Sequence, residues 1–356
     1  MAAPRGRALR RLPVTTRELG ATVRCGLAIM NDFPPGTVAA DRVAALREQV
    51  RFAAESGFSS VWMLQHYLGN MPTLQPLPTL AALSGDAGGM EVGTNMFILP
   101  LRHPVEVAES FSTLDHLTGG RAVAGFGMGY RENEFAAFGV PMDERVDRFT
   151  ESVGLVRALW SGERVHHAGK HFRLDGERIS LPPVRPGGPR VWVGAGAHKT
   201  GARRAATLGD GWIVPPHVAP DRLRRMLATV REVRGDRPFE VVLRRELVLD
   251  HDPERARHIG LTARGALTRA YGAYNAPDKT EAYRHLGGDA AATDVADESY
   301  LFTDPATAVA ELNALAGLGV NRVILRAQWY DLPQEQVLRT LDLFRTEVLP
   351  HLGADA

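Results

Sequence analysis

Three short stretches carry residue types that could do chemistry. His66 follows the apolar run at residues 59–64, and its imidazole can exchange a proton or donate a hydrogen bond near neutral pH. One histidine among 12 is a weak signal; its place at the end of a strand is what raises it. Gly125, Gly127 and Gly129 alternate. Such a pattern either marks tight turns or lets a flat or anionic ligand approach the backbone closely. Residues 193–200 (VGAGAHKT) form a small-residue loop before a helix, where backbone amides can hold a phosphate. The loop ends in Lys199 and Thr200 but is not a nucleotide-hydrolysis loop. That motif needs one glycine directly before the lysine and another five residues earlier. His198 and Val193 stand there instead.

Other chemistries lack their residues. His166, His167 and His171 have a spacing a metal could use, but they fall in a polar stretch that reads as a solvated hairpin, so no metal site is expected. There is no GxSxG elbow for a serine hydrolase. Cys25 is the single cysteine, which excludes an intramolecular disulfide and a cysteine-cluster metal site. Its apolar neighbours predict a buried structural thiol. The hydrophobic content of 44% is that of an ordinary globular protein. Net charge is +1, so nothing draws the chain to nucleic acid or to an anionic membrane. Lysine occurs only at positions 170, 199 and 279; the arginine-, alanine- and glycine-rich remainder fits a GC-rich bacterial genome. No apolar run approaches the ~20 residues that span a bilayer. The first 20 residues hold Arg5, Arg7, Arg10, Arg11 and Arg17 without an apolar core, which reads as a flexible arm and not as a secretory signal. A cytoplasmic location is expected.

These candidates need a frame. Apolar runs at 23–30, 59–64, 90–99, 121–125, 190–193, 211–214, 239–249 and 321–326 predict eight strands. Helical spacing recurs between them, as at Val107, Phe111 and Leu114. Asp41 is the expected cap of the first helix, and Asp304 caps a later one with Pro305 at its first position. Strands alternating with helices predict a closed (β/α)8 TIM barrel, an α/β fold with insertions. A doubly wound sheet would carry a glycine fingerprint after its first strand, and residues 31–36 (NDFPPG) do not supply one. The expected organisation is a flexible arm at 1–20, then one domain at 21–352 with insertions near 162–189 and 253–300. In such a barrel the loops after the strands form the ligand face. Tyr271, Tyr274, Trp329 and Tyr330 could line an aromatic-walled pocket, pack in the core or form a subunit contact.

Longer motifs contain these residues. They are GTNMFILPLRHP at 93–104, LDHLTGGRAVAGFGMGYRENEFAAFGVP at 114–141, PRVWVGAGAHKTGARRAATLGDGW at 189–212 and EVLPHL at 347–352. Through them the chain resembles the bacterial luciferase-like superfamily of flavin- or deazaflavin-dependent oxidoreductases, from about residue 23 to 352. The resemblance implies a (β/α)8 barrel. It implies a non-proline cis peptide at Asn95–Met96 supporting the isoalloxazine ring, and an active-site histidine at His66. It implies a cofactor-contacting loop at Met128, Gly129 and Tyr130, and a phosphate loop at Gly194, Ala195, Gly196 and Ala197 with Thr200. Trp212 would follow the next strand near the cofactor. The chain departs from the pattern twice. Gln65 stands where luciferases and several deazaflavin enzymes carry an acid. Tyr130 stands where the sugar-phosphate dehydrogenases place a glutamate, which argues against that activity.

The resemblance implies two reactions. In the first, an FMN-dependent monooxygenase takes reduced FMN from a separate flavin reductase and uses O2 to oxygenate a small-molecule substrate. This is the expected function. The alternative is a reductase or dehydrogenase that uses the deazaflavin coenzyme F420, moves hydride and does not activate O2. His66 handles the proton in either. A barrel that only binds flavin is disfavoured by His66. A homodimer is the expected assembly by resemblance.

Overall fold

The computed structural model describes residues 22–69, 71–216, 218–272 and 300–353. The N-terminal arm, residues 273–299 of the second expected insertion and Tyr274 within it lie outside the described residues, as does the Tyr271 side chain.

Twelve strands are described in chain order. They are β1 (Arg24–Ile29), β2 (Ser60–Met63), β3 (Glu91–Thr94), β4 (Phe97–Ile98), β5 (Ala122–Gly127) and β6 (Val165–Ala168), then β7 (Arg173–Glu177), β8 (Arg190–Gly194), β9 (Gly211–Val214), β10 (Glu240–Leu249), β11 (Tyr300–Thr303) and β12 (Arg322–Arg326). Eight of them close a parallel barrel in the order β1-β2-β3-β5-β8-β9-β10-β12, with β12 back against β1. The expected TIM barrel is therefore the fold.

Period-two alternation sorts the strand residues into an inside and an outside. Ala28, Trp62, Val123, Trp192, Ile213, Val242 and Ile324 pack together inside the barrel. Trp62 and Trp192 stack there with ring centroids 4.7 Å apart. Below them lies an ionic floor. Arg322 donates to Ser60 at 2.6 Å and forms an ion pair with Glu91 at 2.7 Å, while Arg190 pairs with Glu91 and Arg24 with Glu240. The large apolar core lies between the strands and the helices. It includes Leu27 and Val61 from the strands, with Val107 and Phe111 from the helix Pro104–Leu117. Cys25 is buried in it, and burial pushes its thiol up to about 12, so it is inert at neutral pH.

Three details differ from expectation, and the last helix changes pitch. The third strand breaks into β3 and β4 around Asn95–Met96, where continuous apolar character had suggested one run. Strand β11 was not anticipated; it pairs with the second half of β10, outside the closed ring. The first helix, Ala39–Glu55, begins at Val38 without a side-chain cap, and Asp41 sits in its first turn, where a negative charge complements the helix dipole. The last helix is α-helical only over Gln334–Leu343 and continues as a π-turn over Phe344–Val348. The other expected cap forms: Asp304 Oδ1 accepts from the Thr307 amide at 3.0 Å. The stretch 162–189 contains the antiparallel β6–β7 hairpin. Among the described residues, no helix is long and apolar enough to cross a membrane.

Candidate active site

His66 lies just past the end of β2, half-buried. Its Nδ1 is 3.4 Å from Oε1 of Glu134, which has no solvent exposure. Glu134 comes from the short helix Glu132–Ala137 after β5. The same Oε1 accepts from the Tyr67 amide at 2.7 Å and from the Arg131 guanidinium at 2.8 Å. Burial works against a charge on Glu134. The hydrogen bonds from His66 and the Tyr67 amide, with the charges of His66 and Arg131, outweigh it and hold the carboxyl below the usual carboxylate range. An ionised carboxylate beside Nδ1 favours the proton on that nitrogen, leaving Nε2 to exchange a proton with a substrate. Tyr130 meets His66 edge to face, with centroids 5.9 Å apart. Gln65 plays a different part. Its Nε2 donates to the Tyr67 hydroxyl at 2.6 Å, and its Oε1 accepts from the Ile98 amide at 2.8 Å, tying the loop after β2 to β4.

The Asn95–Met96 peptide is cis. Its neighbours are shaped to hold it. The Asn95 amide donates to Met63 O at 2.8 Å. A Cβ on Gly194 would lie 1.3 Å from Met96 Sδ, and one on Gly127 would lie 3.1 Å from Met96 Cβ. A Cβ on Gly125 would meet Thr94 O at 1.8 Å. The alternating glycines therefore make room for the protein's own β3–β4 break. Gly129 has φ +73°, and a Cβ there would strike Phe135 and Ile98. Met128 packs against the core.

The loop after β8 runs into the helix Lys199–Leu208. His198 Nδ1 accepts from the Gly201 amide at 3.1 Å. A Cβ on Gly201 would meet Gly196 O at 2.2 Å, so the loop is folded tightly. The amides of Gly196, Ala197, Lys199 and Thr200 have no protein acceptor among the described residues. Thr200 is exposed beside them. Trp212 is fully buried in the layer between strands and helices, and its Nε1 donates to Ala195 O at 2.9 Å. It supports the loop from behind and has no surface of its own at the rim.

At the top of the barrel interior a cleft is lined by Met30, Trp62, Leu64, Asn95, Arg244 and Arg326, among others. Glu246 lies under the arginines: Arg326 Nε donates to it at 2.5 Å, and Arg244 lies 3.2 Å from it. The three histidines of the hairpin region sit elsewhere. Each faces a different carboxylate: His166 faces Asp175, His167 faces Glu151 and His171 faces Glu144.

The profile of luciferase-like monooxygenases matches residues 23–322. The chain belongs to the luciferase-like monooxygenase family. It is an oxidoreductase of that family. An F420-dependent hydroxymycolic acid dehydrogenase of Mycobacterium tuberculosis is 30% identical over 323 residues, covering 88% of this chain and 84% of its own. An F420-dependent glucose-6-phosphate dehydrogenase of Intrasporangium calvum is 30% identical over 319 residues, covering 84% and 92%. A monooxygenase from Streptomyces bottropensis has a crystal structure that superposes with a TM-score of 0.82 at 24% identity, covering 92% of this chain and 99% of its own. At that identity it shows the shared fold.

These relatives correct the expected reagents of this luciferase-like chain. The reading as a monooxygenase using reduced FMN and O2 is set aside, because both sequence relatives are F420-dependent dehydrogenases. The motifs that suggested the family are read as holding a tricyclic ring and a phosphate, features FMN and the deazaflavin share. They do not report the one ring atom that decides between hydride transfer and oxygen activation.

The luciferase-like barrel has features that fit such a cofactor. Unpartnered amides at the start of a helix suit an anionic phosphate, and the glycine-cleared shelf at Met96 suits a flat ring. Sequence reasoning missed Glu134, Arg244 and Arg326. Glu134 lies within a quoted motif, but only the fold brings it to a residue 68 positions earlier. The arginines stood on predicted strands, and counting by twos from Val242 and Ile324 would have placed both inside the barrel.

Proposed function

We propose that this chain is an F420-dependent dehydrogenase or reductase, interconverting a hydroxyl-bearing carbon and its carbonyl. The observation that carries the reading is the F420 dependence of relatives that align over most of the chain. The His66–Glu134 pair supports it, since this chemistry needs a positioned proton carrier. The bound deazaflavin would accept or supply a hydride. The loop Gly194, Ala195, Gly196 and Ala197, with Thr200, would hold its phosphate. Met96 and the Asn95–Met96 peptide would back its ring, with Met128, Gly129 and Tyr130 at the ring's edge.

In the oxidative direction His66 Nε2 would take the proton of the substrate hydroxyl, and in the reductive direction it would return it to the forming hydroxyl. Glu134 stabilises the imidazolium that forms and keeps the ring oriented. The chemistry needs no O2 and no flavin reductase. Tyr130, standing where sugar-phosphate dehydrogenases place a glutamate, keeps the proposal away from that substrate class. The test is anaerobic turnover of secondary alcohols with the oxidised deazaflavin. Carbonyl product should form at the same rate with and without O2. A strict need for O2 would sink the reading.

A further inference from the structure

The loop after β8 is held by a side chain from the next helix. Arg222, in the first turn of the helix Pro220–Arg234, donates from Nε to Ala197 O at 2.5 Å. That carbonyl belongs to the loop whose amides at Gly196, Ala197, Lys199 and Thr200 have no protein acceptor among the described residues. The bond fixes one edge of the guanidinium against the loop. Its two terminal nitrogens meet no acceptor among the described residues, and the side chain is exposed. Asp221, the acid of the same turn, is engaged elsewhere, 2.6 Å from Arg224. The helices Lys199–Leu208 and Pro220–Arg234 run side by side in one direction. Arg222 meets Ala197 at their starts, and Arg203 lies 3.3 Å from Glu232 further along. Both positive helix ends therefore lie together at the rim.

A cation in the first turn of a helix is unfavourable, because that end of the dipole is already positive. A brace for the loop would need only one donor, and a neutral side chain could supply it. Arg222 brings a charge and two further N–H groups to the same place. The free edge of a guanidinium matches a carboxylate in two-pronged fashion. The deazaflavin coenzyme continues beyond its phosphate into a lactyl group and glutamates, so its chain ends in carboxylates; FMN ends at the phosphate. We infer that Arg222 is a further cofactor-binding residue, which takes the carboxylates of that chain once the phosphate is on the loop, and so selects the deazaflavin over FMN. Its exposed position suits a chain that leaves the loop for solvent. The inference rests on the proposed F420 reading and adds to it a residue that tells the two cofactors apart.

The test is fluorescence titration of the full chain with three ligands: the intact deazaflavin coenzyme, the same ring with its ribityl arm but no phosphate, and FMN. Arg222→Gln should weaken binding of the coenzyme about fivefold, the size of an ionic contact at a partly open site. It should leave FMN and the phosphate-free ring within about twofold. The loss for the coenzyme should shrink as salt rises. Arg224→Gln removes a charge from the same turn and should change none of the three. Distortion of the loop through the lost bond to Ala197 O would weaken FMN as much as the coenzyme, so the FMN arm separates recognition from support. Equal losses for FMN and the coenzyme, an equal loss in Arg224→Gln, or coenzyme binding that Arg222→Gln leaves unchanged would overturn the inference and leave the F420 reading standing. A wild-type chain that does not bind the coenzyme would overturn both.

Discussion

At the scale of single residues, the site is a division of labour between His66 and Glu134. In the proposed reaction His66 would carry the proton. Replacing it with Ala should lower kcat by about 10²–10⁴-fold, the usual range for a general acid–base. Deazaflavin affinity, measured by fluorescence titration, should stay within about twofold, since the ring and phosphate supports lie elsewhere; 2-fold is only ~0.4 kcal/mol. In the proposed reaction Glu134 would act through His66, as a positioning residue. Glu134→Gln keeps the shape but removes the charge that faces Nδ1. We expect kcat to fall by about 10²-fold, as for a misplaced catalytic group, with cofactor affinity again retained. A parallel loss of kcat and cofactor affinity would indicate collapse of the site instead. The same substitution leaves Arg131 buried without its carboxylate, so stability should drop by about 3 kcal/mol in denaturant titration. His66 was legible in the sequence because it follows a strand. Glu134 was not, because the pairing spans β3, the helix Pro104–Leu117 and β5, and only the closed barrel brings its ends together.

At the scale of elements, the glycines of the rim are packing devices. The sequence pattern was visible, but its cause was not. Gly125 and Gly194 leave room for Thr94 O and the Met96 side chain, and so let β3 break at Asn95–Met96. Gly194→Ala should cost about 1–3 kcal/mol, the range for overpacking, seen as a lower thermal midpoint. Adding Met96→Ala should recover part of that loss, since the clashing atom is the end of a flexible side chain. Gly125→Ala should be worse, and Met96→Ala should not rescue it, because its Cβ meets backbone. Additive behaviour of Gly194→Ala with Met96→Ala would show that the two do not share a space. The strand pattern revealed eight of the barrel's runs because apolar alternation is local. Strand β11 was hidden because it lies outside the ring, directly after residues 273–299.

At the scale of the molecule, the fold has a floor of ion pairs, a middle of stacked tryptophans and a rim where the chemistry gathers. Its response to acid follows from its carboxylates. Glu134 and Glu151 are held below their ordinary value near 4.5, and Asp304 below its ordinary 3.8. Burial opposes the charge on both glutamates, and hydrogen bonds to His66 and His167 and to backbone amides outweigh it. For Asp304 the amide of Thr307 leads. A carboxylate with a depressed folded value contributes stability above its unfolded value and loses it as pH falls through the folded one. Stability should therefore be flat through neutral pH and decline below about pH 4.5. Glu134→Gln should make that decline shallower, as read from urea midpoints across the acid range. The eight-stranded barrel was readable from strand count and motif order. The choice of cofactor was not, because the same shelf and helix start would suit a flat ring and a phosphate whichever atom the ring carries. The most direct test is equilibrium titration of the purified chain with oxidised deazaflavin and with FMN, each followed by fluorescence quenching. The account predicts micromolar or tighter binding of the deazaflavin, about −8 kcal/mol or better, with FMN at least tenfold weaker. Tighter binding of FMN would contradict it.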